Sequence, residues 1–96
     1  MVTMAHIQAH HDEILRLAEK YGAYSVRMFG SVARGESDET SDLDILVRMS
    51  PDRSLVDRIM LIQDLQDLLH ISVDVVNEQA LHKEIRDEVL AEAVAL

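Results

Sequence analysis

The first part of the chain carries apolar residues at the spacing of an amphipathic helix. These residues are Ile7, Ile14, Leu15, Ala18 and Tyr21. Positions about three or four residues apart share one face of a helix, and a glycine just beyond them is a stop signal. We therefore predict a helix over residues 3–21 that ends before Gly22.

Three short apolar runs follow, and each has the length of a strand. They cover residues 25–29, 43–48 and 71–76. Apolar runs of about four to eight residues between Gly, Pro, Asn, Asp and Ser clusters are typical of strands. Between the first two runs we expect a short helix or turn over residues 31–35 and a polar loop over residues 36–41.

A second long helix is predicted in the middle of the chain. Residues 49–53 contain Pro51 and have the composition of a turn. Ser54, followed three residues later by Asp57, forms a capping-box pattern that starts a helix. The apolar spacing continues to about His70, where we expect this helix to end.

This second helix is apolar on more than one face. Its main stripe consists of Leu55, Ile59, Ile62, Leu65 and Leu69. Four more apolar residues lie off the stripe: Val56, Met60, Leu61 and Leu68. Either these four fill a small leucine-rich core, or they contact another protein chain.

Asn77 is placed to cap a last helix over about residues 78–94. The order helix, strand, short helix, strand, helix, strand, helix predicts an α/β domain with a small mixed β-sheet and helices packed on one face. A chain of 96 residues fits a single domain, 1–96. We expect the face of the sheet that bears Asp42 and Asp44 to be open.

The composition narrows the classes of function. The net charge of −9 disfavours nucleic acid as a direct partner, because nucleic-acid enzymes normally carry a basic stripe. No apolar run is long enough to span a membrane, and the start of the chain lacks the pattern of a signal peptide. The absence of cysteine is compatible with a reducing compartment, so we expect a cytoplasmic protein.

Two carboxylates stand at the start of the second predicted strand. Asp42 and Asp44 are separated by one residue and precede an apolar run. Side chains alternate along a strand, so both would point to the same face. Two such carboxylates repel each other unless a cation lies between them, and Mg²⁺ commonly binds carboxylates together with substrate phosphates.

A glycine and a serine end the first predicted strand. Gly30 has no side chain and Ser31 has a hydroxyl, so backbone N–H groups here can approach a phosphate. Asp74 interrupts the third apolar strand. The alternative is that Asp42 is a cap, Asp44 an edge-strand charge and Asp74 incidental. Because Asp is rare in strands and a buried unpaired carboxylate is unfavourable, we expect Asp74 instead to face Asp42 and Asp44.

These residues resemble the motif of the minimal nucleotidyltransferases, the small MNT branch of the DNA polymerase beta-like nucleotidyltransferase superfamily. The family motif is Gly-Ser, a spacer, Asp-x-Asp and a distal Asp. It matches Gly30, Ser31, Asp42, Asp44 and Asp74. The Ala-Arg-Gly extension of this branch matches residues 33–35, and the serine before the first aspartate matches Ser41. The resemblance covers the chain from about residue 5 to its end.

The resemblance implies a polymerase beta-like core and a partner. MNT proteins resemble antitoxins that act on HEPN-domain RNase toxins, and the implied reaction moves AMP from ATP to a tyrosine hydroxyl of the toxin. We therefore expect a hetero-oligomer with a HEPN toxin. All three family carboxylates are present, so we expect an active, Mg²⁺-dependent enzyme.

The implied site uses two Mg²⁺ ions. Asp42 and Asp44 would bind the first ion, and Asp74 would join them at the second. Asp74 could also accept the proton of the acceptor hydroxyl. The expected nucleotide-binding residues are Gly30, Ser31, Arg34 and Ser41. Arg34 has an alternative interpretation, as a surface arginine paired with Glu36 or Asp38.

Two other functions stay open on the sequence alone. The chain could neutralise a toxin by binding without catalysis, or it could be a nucleotidyltransferase that acts on RNA or on a small molecule. The histidines at positions 6, 10 and 11 have helical spacing that could suggest a metal site, but they are typical of an amphipathic helix surface.

Overall fold

The computed structural model describes residues 3–38 and 40–96. The helices are α1 (Met4–Ala9), α2 (His11–Lys20), α3 (Gly30–Arg34), α4 (Leu55–Leu69) and α5 (Lys83–Glu92). The strands are β1 (Ala23–Phe29), β2 (Leu43–Met49), β3 (Val73–Asn77) and β4 (Val94–Ala95), and Glu78–Ala80 forms one turn of 3₁₀ helix. Residue 39, in the predicted loop, and residues 1 and 2 lie outside the described part.

The sheet is mixed, as the sequence predicts. Its strand order is β3-β2-β1-β4, with β2 and β3 parallel and the other two pairs antiparallel. Parallel neighbours need a long crossover connection, and α4 is that crossover. The predicted α/β architecture with a small mixed sheet is therefore confirmed.

The predicted helix over residues 3–21 is wrong in one respect, because it is divided at His10. The backbone of His10 has φ −107° and ψ 17°, outside the helical range. Thr3 caps α1 by accepting a hydrogen bond from the N–H of His6. α2 then ends at Lys20, Tyr21 is its C-cap, and Gly22 follows with φ +77°, as the stop signal predicts.

The prediction for the end of the chain is also wrong in its boundaries. Asn77 does act as a cap, but its side chain accepts from the N–H of Gln79 and caps the 3₁₀ turn. The last helix begins only at Lys83. It ends at Glu92, and Val94 pairs with Met28 in the strand β4, which is too short to show alternation in the sequence.

The core lies between one face of the sheet and the helices. The sheet contributes, among others, Met28, Leu43, Ile45, Val47, Val73 and Val75, and the helices contribute Ile7, Ile14, Ala18, Leu61, Leu65 and Leu69. The opposite face of β2 carries Asp44, Leu46 and Arg48. Asp44 is half-buried and Arg48 is exposed, but Leu46 is fully buried. The expectation that this face is open is therefore wrong for its middle, where Leu46 is covered.

The capping box that starts α4 is confirmed, but the predicted apolar stripe of this helix is only partly correct. Leu61 was placed off the stripe and is in fact fully buried. Leu55 and Ile59 were placed on it and are 60% and 43% exposed. The buried residues Leu61, Leu65 and Leu69 lie four positions apart on one face of α4, and this helix is apolar on more than one face, so apolar spacing alone could not identify the buried one.

A hydrogen bond between side chains connects α2 to α4. The hydroxyl of Tyr21, a buried residue, donates to Oδ2 of Asp64 over 2.5 Å. This hydrogen bond to Asp64 is the main reason that the pKa of Tyr21 is raised, because the neutral hydroxyl can donate and a phenolate cannot.

None of the helices in the described ranges is long and apolar enough to cross a membrane.

We expect Tyr21→Phe to lower the free energy of unfolding by about 1 kcal/mol or more, because it leaves Asp64 without its donor. For a domain of this size the melting temperature should fall by at least about 4 °C. Tyr24→Phe is the matched control, because Tyr24 is 47% exposed. Equal melting temperatures for the two variants would show that the bond to Asp64 does not stabilise the fold.

Candidate functional site

The parallel pairing of β2 with β3 brings two carboxylates together. Asp44 of β2 and Asp74 of β3 are direct partners in the register. Neighbouring strands lie about 4.8 Å apart, and directly paired residues point to the same face. Asp42 lies two residues before Asp44, next to the start of β2. Asp44 and Asp74 thus lie side by side at one end of the sheet, and Asp42 lies just beyond that end.

The expectation that Asp74 is a buried charge is wrong. Asp74 is exposed, and β3 is an edge strand. The expense of burying a charge therefore does not explain this residue, and a charge on an edge strand is useful in itself because it prevents edge-to-edge association. What singles out Asp74 is its register opposite Asp44.

The carboxylates influence one another electrostatically. The pKa of Asp44 is raised, first by its partial burial and then by the charges of Asp74 and Asp42. The guanidinium of Arg34 acts in the opposite direction, and Glu92 adds to the repulsion. This end of the sheet therefore concentrates negative charge around one partly buried acid, which is the condition that a bound cation relieves.

Gly30 lies directly against Asp44. Its φ is +78°, a left-handed conformation that L side chains rarely adopt. A Cβ atom at this position would collide with Oδ2 of Asp44. Both the backbone conformation and the available space thus require glycine, and they let the backbone at the start of α3 approach the carboxylates.

Arg34, in the last turn of α3, is paired with two glutamates. Its Nε lies 2.9 Å from Oε2 of Glu36, and its Nη1 lies 2.5 Å from Oε1 of Glu92. The pair with Glu36 is one that the surface interpretation of Arg34 predicts. The pair with Glu92 is not predicted by that interpretation. Because Arg34 also acts on the pKa of Asp44, its charge is part of the site in either case.

The two serines occupy different positions. Ser31 is the second residue of α3, and its carbonyl accepts from the N–H of Glu36 over 2.9 Å. The hydroxyl of Ser41 instead accepts from the N–H of Asp38 over 2.9 Å and donates to its carboxylate over 3.2 Å. Ser31 therefore borders Gly30, whereas Ser41 closes the loop before β2.

The loop before β2 has a local acidic anchor. The carboxylate of Asp38 accepts from both the N–H and the hydroxyl of Thr40, each over 2.8 Å. The hydroxyl of Thr40 is the largest cause of the lowered pKa of Asp38. The carboxylate of Asp38 is thus hydrogen-bonded within the loop. Asp42 and Asp44 are the acids that follow the loop at the start of β2.

The donor set fits a hard cation. Mg²⁺ prefers oxygen ligands and commonly uses one or two carboxylates together with substrate phosphates. In the part of the chain that the structure describes, no three acidic or imidazole side chains converge closely enough to hold an ion by themselves. Asp42, Asp44 and Asp74 therefore match a metal held jointly with a substrate better than a closed structural metal site.

The histidines near the start of the chain form contacts of their own. The rings of His6 and His10 meet edge to face, with their centroids 5.2 Å apart. His10 lies 3.3 Å from Glu13, and His11 lies 3.1 Å from Asp12. These pairs lie on the surface of α1 and α2, and none of them involves the carboxylates of β2 and β3.

Sequence reasoning missed Glu92. It lies at the end of α5 among other charged residues and has the pattern of a solvated helix face. In the structure its Oε1 accepts from the backbone N–H of Gly30 over 2.8 Å as well as from Arg34. No spacing in the sequence signals this contact, because it joins residues 62 positions apart.

The chain is similar in sequence to known nucleotidyltransferases. The sequence model of a family described as "Nucleotidyltransferase domain" matches residues 13–96. The protein adenylyltransferase MntA of Thermococcus cleftensis is 39% identical over 98 residues, which cover 98% of this chain and 96% of that protein.

Solved structures are similar over nearly the whole chain. A structure provisionally described as a minimal nucleotidyltransferase has a TM-score of 0.90 and 42% identity, covering 99% of this chain and 97% of that chain. A tri-AMPylated HEPN toxin of Shewanella oneidensis in complex with MNT antitoxin gives a TM-score of 0.70 at 21% identity, over 92% of this chain and 69% of that chain. The second likeness is one of fold.

We expect Gly30→Ala to destabilise the fold more than Gly35→Ala. Both glycines have positive φ, at +78° and +74°, so alanine is strained by about 1–2 kcal/mol at either position. Only at Gly30 does the new Cβ meet a neighbour, whereas Gly35 has nothing within 4 Å. The excess should be about 1–3 kcal/mol in denaturant unfolding.

The collision can be tested by a double-mutant cycle. In an Asp44→Ala background the destabilisation by Gly30→Ala should fall to that of Gly35→Ala, because the carboxylate is gone. An unchanged effect of Gly30→Ala in that background would show that Gly30 is required for its conformation alone.

We expect Asp44→Asn to stabilise the metal-free protein at neutral pH. The folded-state pKa of Asp44 is raised above 3.8, so its charge destabilises the fold increasingly as the pH rises from that value through the folded pKa. For a half-exposed acid the gain should be at most about 1 kcal/mol. Thermal melts in EDTA at pH 4 to 7 measure it, with Asp67→Asn on the surface of α4 as control. The advantage should shrink as the pH falls toward 4; a variant less stable than wild type at pH 7 would contradict this account.

Proposed function

Because this chain belongs to the nucleotidyltransferase domain family, we propose that it transfers AMP from ATP to a tyrosine hydroxyl of a HEPN RNase toxin and thereby neutralises the toxin. The observation that carries the proposal is the register of Asp44 with Asp74 beside the glycine turn at Gly30. The relative named a protein adenylyltransferase supports the reaction type. The Shewanella complex, whose toxin is AMPylated, supports the acceptor.

The nucleotide would bind where the start of α3 meets the carboxylates. Gly30 and Ser31 offer backbone and hydroxyl groups that can approach phosphate oxygens. Arg34 supplies a positive charge beside them, and Ser41 would close the same end from the loop. This set matches the chemistry of a triphosphate, which needs several donors and a cation rather than an apolar pocket.

Asp42, Asp44 and Asp74 would hold Mg²⁺ with the nucleotide. Bound there, Mg²⁺ would neutralise phosphate charge and favour ionisation of the acceptor hydroxyl. Its binding would also remove the repulsion that raises the pKa of Asp44. The metal dependence is thus proposed from the oxygen donors and from their mutual repulsion.

The reaction needs one new bond and one proton acceptor. The tyrosine oxygen attacks the α-phosphorus of ATP, an O–P bond forms, and the bond to pyrophosphate breaks. Asp74 can accept the tyrosine proton, because it lies beside Asp44 and is exposed on the edge strand β3. An exposed base suits an acceptor that is presented by another protein.

A partner could dock on the exposed start of α4. We call this surface the α4 patch; it comprises Leu55, Val56, Ile59 and Met60, which are between 43% and 63% exposed. Leu55 also borders a cavity of about 340 Å³ with Met49, at the far end of β2. That end is about 17 Å from Asp44, because five steps of about 3.3 Å each separate Asp44 from Met49. A partner on the α4 patch must therefore extend along the sheet to bring its tyrosine to Asp74.

The α4 patch also supports a second candidate function. An apolar surface of this kind can hold a toxin without any chemistry, so neutralisation by binding alone is the alternative. The two functions differ in one requirement: the enzyme needs its carboxylates, and the binding protein does not.

Incubation of this chain with Mg-ATP and a HEPN toxin from the same organism tests the proposal. Intact mass spectrometry should show the toxin gaining whole AMP units, and EDTA should abolish the gain. Asp44→Asn should lower the rate at least about 100-fold, because it removes a group that organises transition-state charge. Asp67→Asn, which changes the same charge on the surface of α4, should act as wild type. Full neutralisation without a mass change would instead establish the binding function.

A further inference from the structure

The side chain of Glu92 is hydrogen-bonded to two groups that would bind a phosphate. Its Oε1 accepts from the N–H of Gly30 over 2.8 Å and from Nη1 of Arg34 over 2.5 Å. One donor is a backbone amide next to the carboxylates, and the other is the cation at the same end of the sheet. A carboxylate that bridges an amide and a guanidinium binds as a phosphate oxygen would, because both are anionic oxygen acceptors.

We propose that Glu92 closes the phosphate-binding end of the site in the nucleotide-free protein, so that ATP must displace it in order to bind. This inference rests on the function proposed above. It assigns to the C-terminal helix a role in setting nucleotide affinity. Glu92 is the internal competitor for Gly30 and Arg34, and its removal should make binding tighter.

Electrostatics favours the release of Glu92 once nucleotide arrives. Glu92 and Asp44 are like charges that lie close enough for Glu92 to raise the pKa of Asp44. If a triphosphate bound while Glu92 stayed in place, it would add further negative charge to that end of the sheet. The backbone N–H of Gly30 is a single donor that Glu92 already uses, so Glu92 and a phosphate oxygen should exclude each other there.

The segment that carries Glu92 is lightly attached. No α5 side chain is buried, and Ile85 is 49% exposed. Beyond Glu92 the chain is held by β4, which has two residues, by a 3.4 Å hydrogen bond from the N–H of Leu96 to the carbonyl of Val26, and by the partly buried side chain of Leu96, which packs against the core. Segments with few buried apolar contacts open at a small fraction of the global free energy. Displacement of Glu92 therefore does not require unfolding of the core.

Three variants separate the effect of Glu92 occupying the donors of Gly30 and Arg34 from the effect of its negative charge. Glu92→Gln removes the charge that binds Arg34. Glu92→Asp keeps the charge but shortens the side chain, so that it reaches Gly30 and Arg34 poorly. Glu88→Gln makes the same charge change at an exposed position of α5 and is the control. Circular dichroism melts establish that each variant is folded.

Calorimetric titration of the full chain with AMP-PNP and Mg²⁺ is the test. Glu92→Gln should bind about 10-fold more tightly than wild type, which corresponds to the loss of one charge-assisted bond of about 1.4 kcal/mol. Glu92→Asp should also bind more tightly, whereas Glu88→Gln should stay within about twofold of wild type. Without nucleotide, hydrogen exchange at the amide of Gly30 should be faster in Glu92→Asp, because its acceptor is withdrawn.

Each other outcome overturns the inference. Glu92→Gln binding no more tightly than Glu88→Gln would show that Glu92 does not compete with phosphate. Tighter binding by Glu92→Gln, together with wild-type affinity in Glu92→Asp, would assign the effect to charge alone. If wild type binds AMP-PNP and the Glu92 variants do not differ from it, only this inference fails. If no protein in the series binds AMP-PNP, the proposed function fails with it.

Discussion

The candidate site depends on the parallel pairing of β2 with β3. This pairing sets Asp44 directly opposite Asp74 and concentrates negative charge at one end of the sheet. Such an arrangement is unfavourable in the absence of a cation, so the hydrophobic core beneath the sheet must offset the repulsion between the carboxylates. Met28, Ile45 and Val75 belong to that core and fix the strands that carry the acids.

The surroundings of the carboxylates follow from the same constraint. Only glycine at position 30 lets the backbone approach Asp44 so closely, because a Cβ atom there would collide with the carboxylate of Asp44. The resulting gap exposes a backbone amide next to an acidic cluster, and Arg34 places a positive charge beside it. In the free protein Glu92 satisfies both donors, which links the C-terminal segment to the state of the site.

Sequence reasoning succeeded where local rules apply, as at the Gly-Ser turn that ends β1. It expected Asp74 near Asp44 from the cost of a buried charge, whereas the parallel register that pairs the two residues depends on how β2 and β3 associate. The same rules could not find Glu92, whose contact with Gly30 depends on how α5 returns to the start of α3. They also missed β4, since two residues carry no periodicity, and the break at His10, since the apolar spacing continues across it. The buried face of α4 was misassigned because tertiary packing, rather than apolar content, selects it.

The most direct measurement is the position of a bound divalent ion. Titration of ¹⁵N-labelled protein with Mn²⁺ broadens the amide signals nearest to the metal. The account predicts that Gly30, Asp44 and Asp74 lose intensity first, while Met49 at the other end of β2 is affected last. Earlier broadening around His10 and Glu13, with the β2–β3 end unchanged, would contradict the assignment of the carboxylates as the metal site.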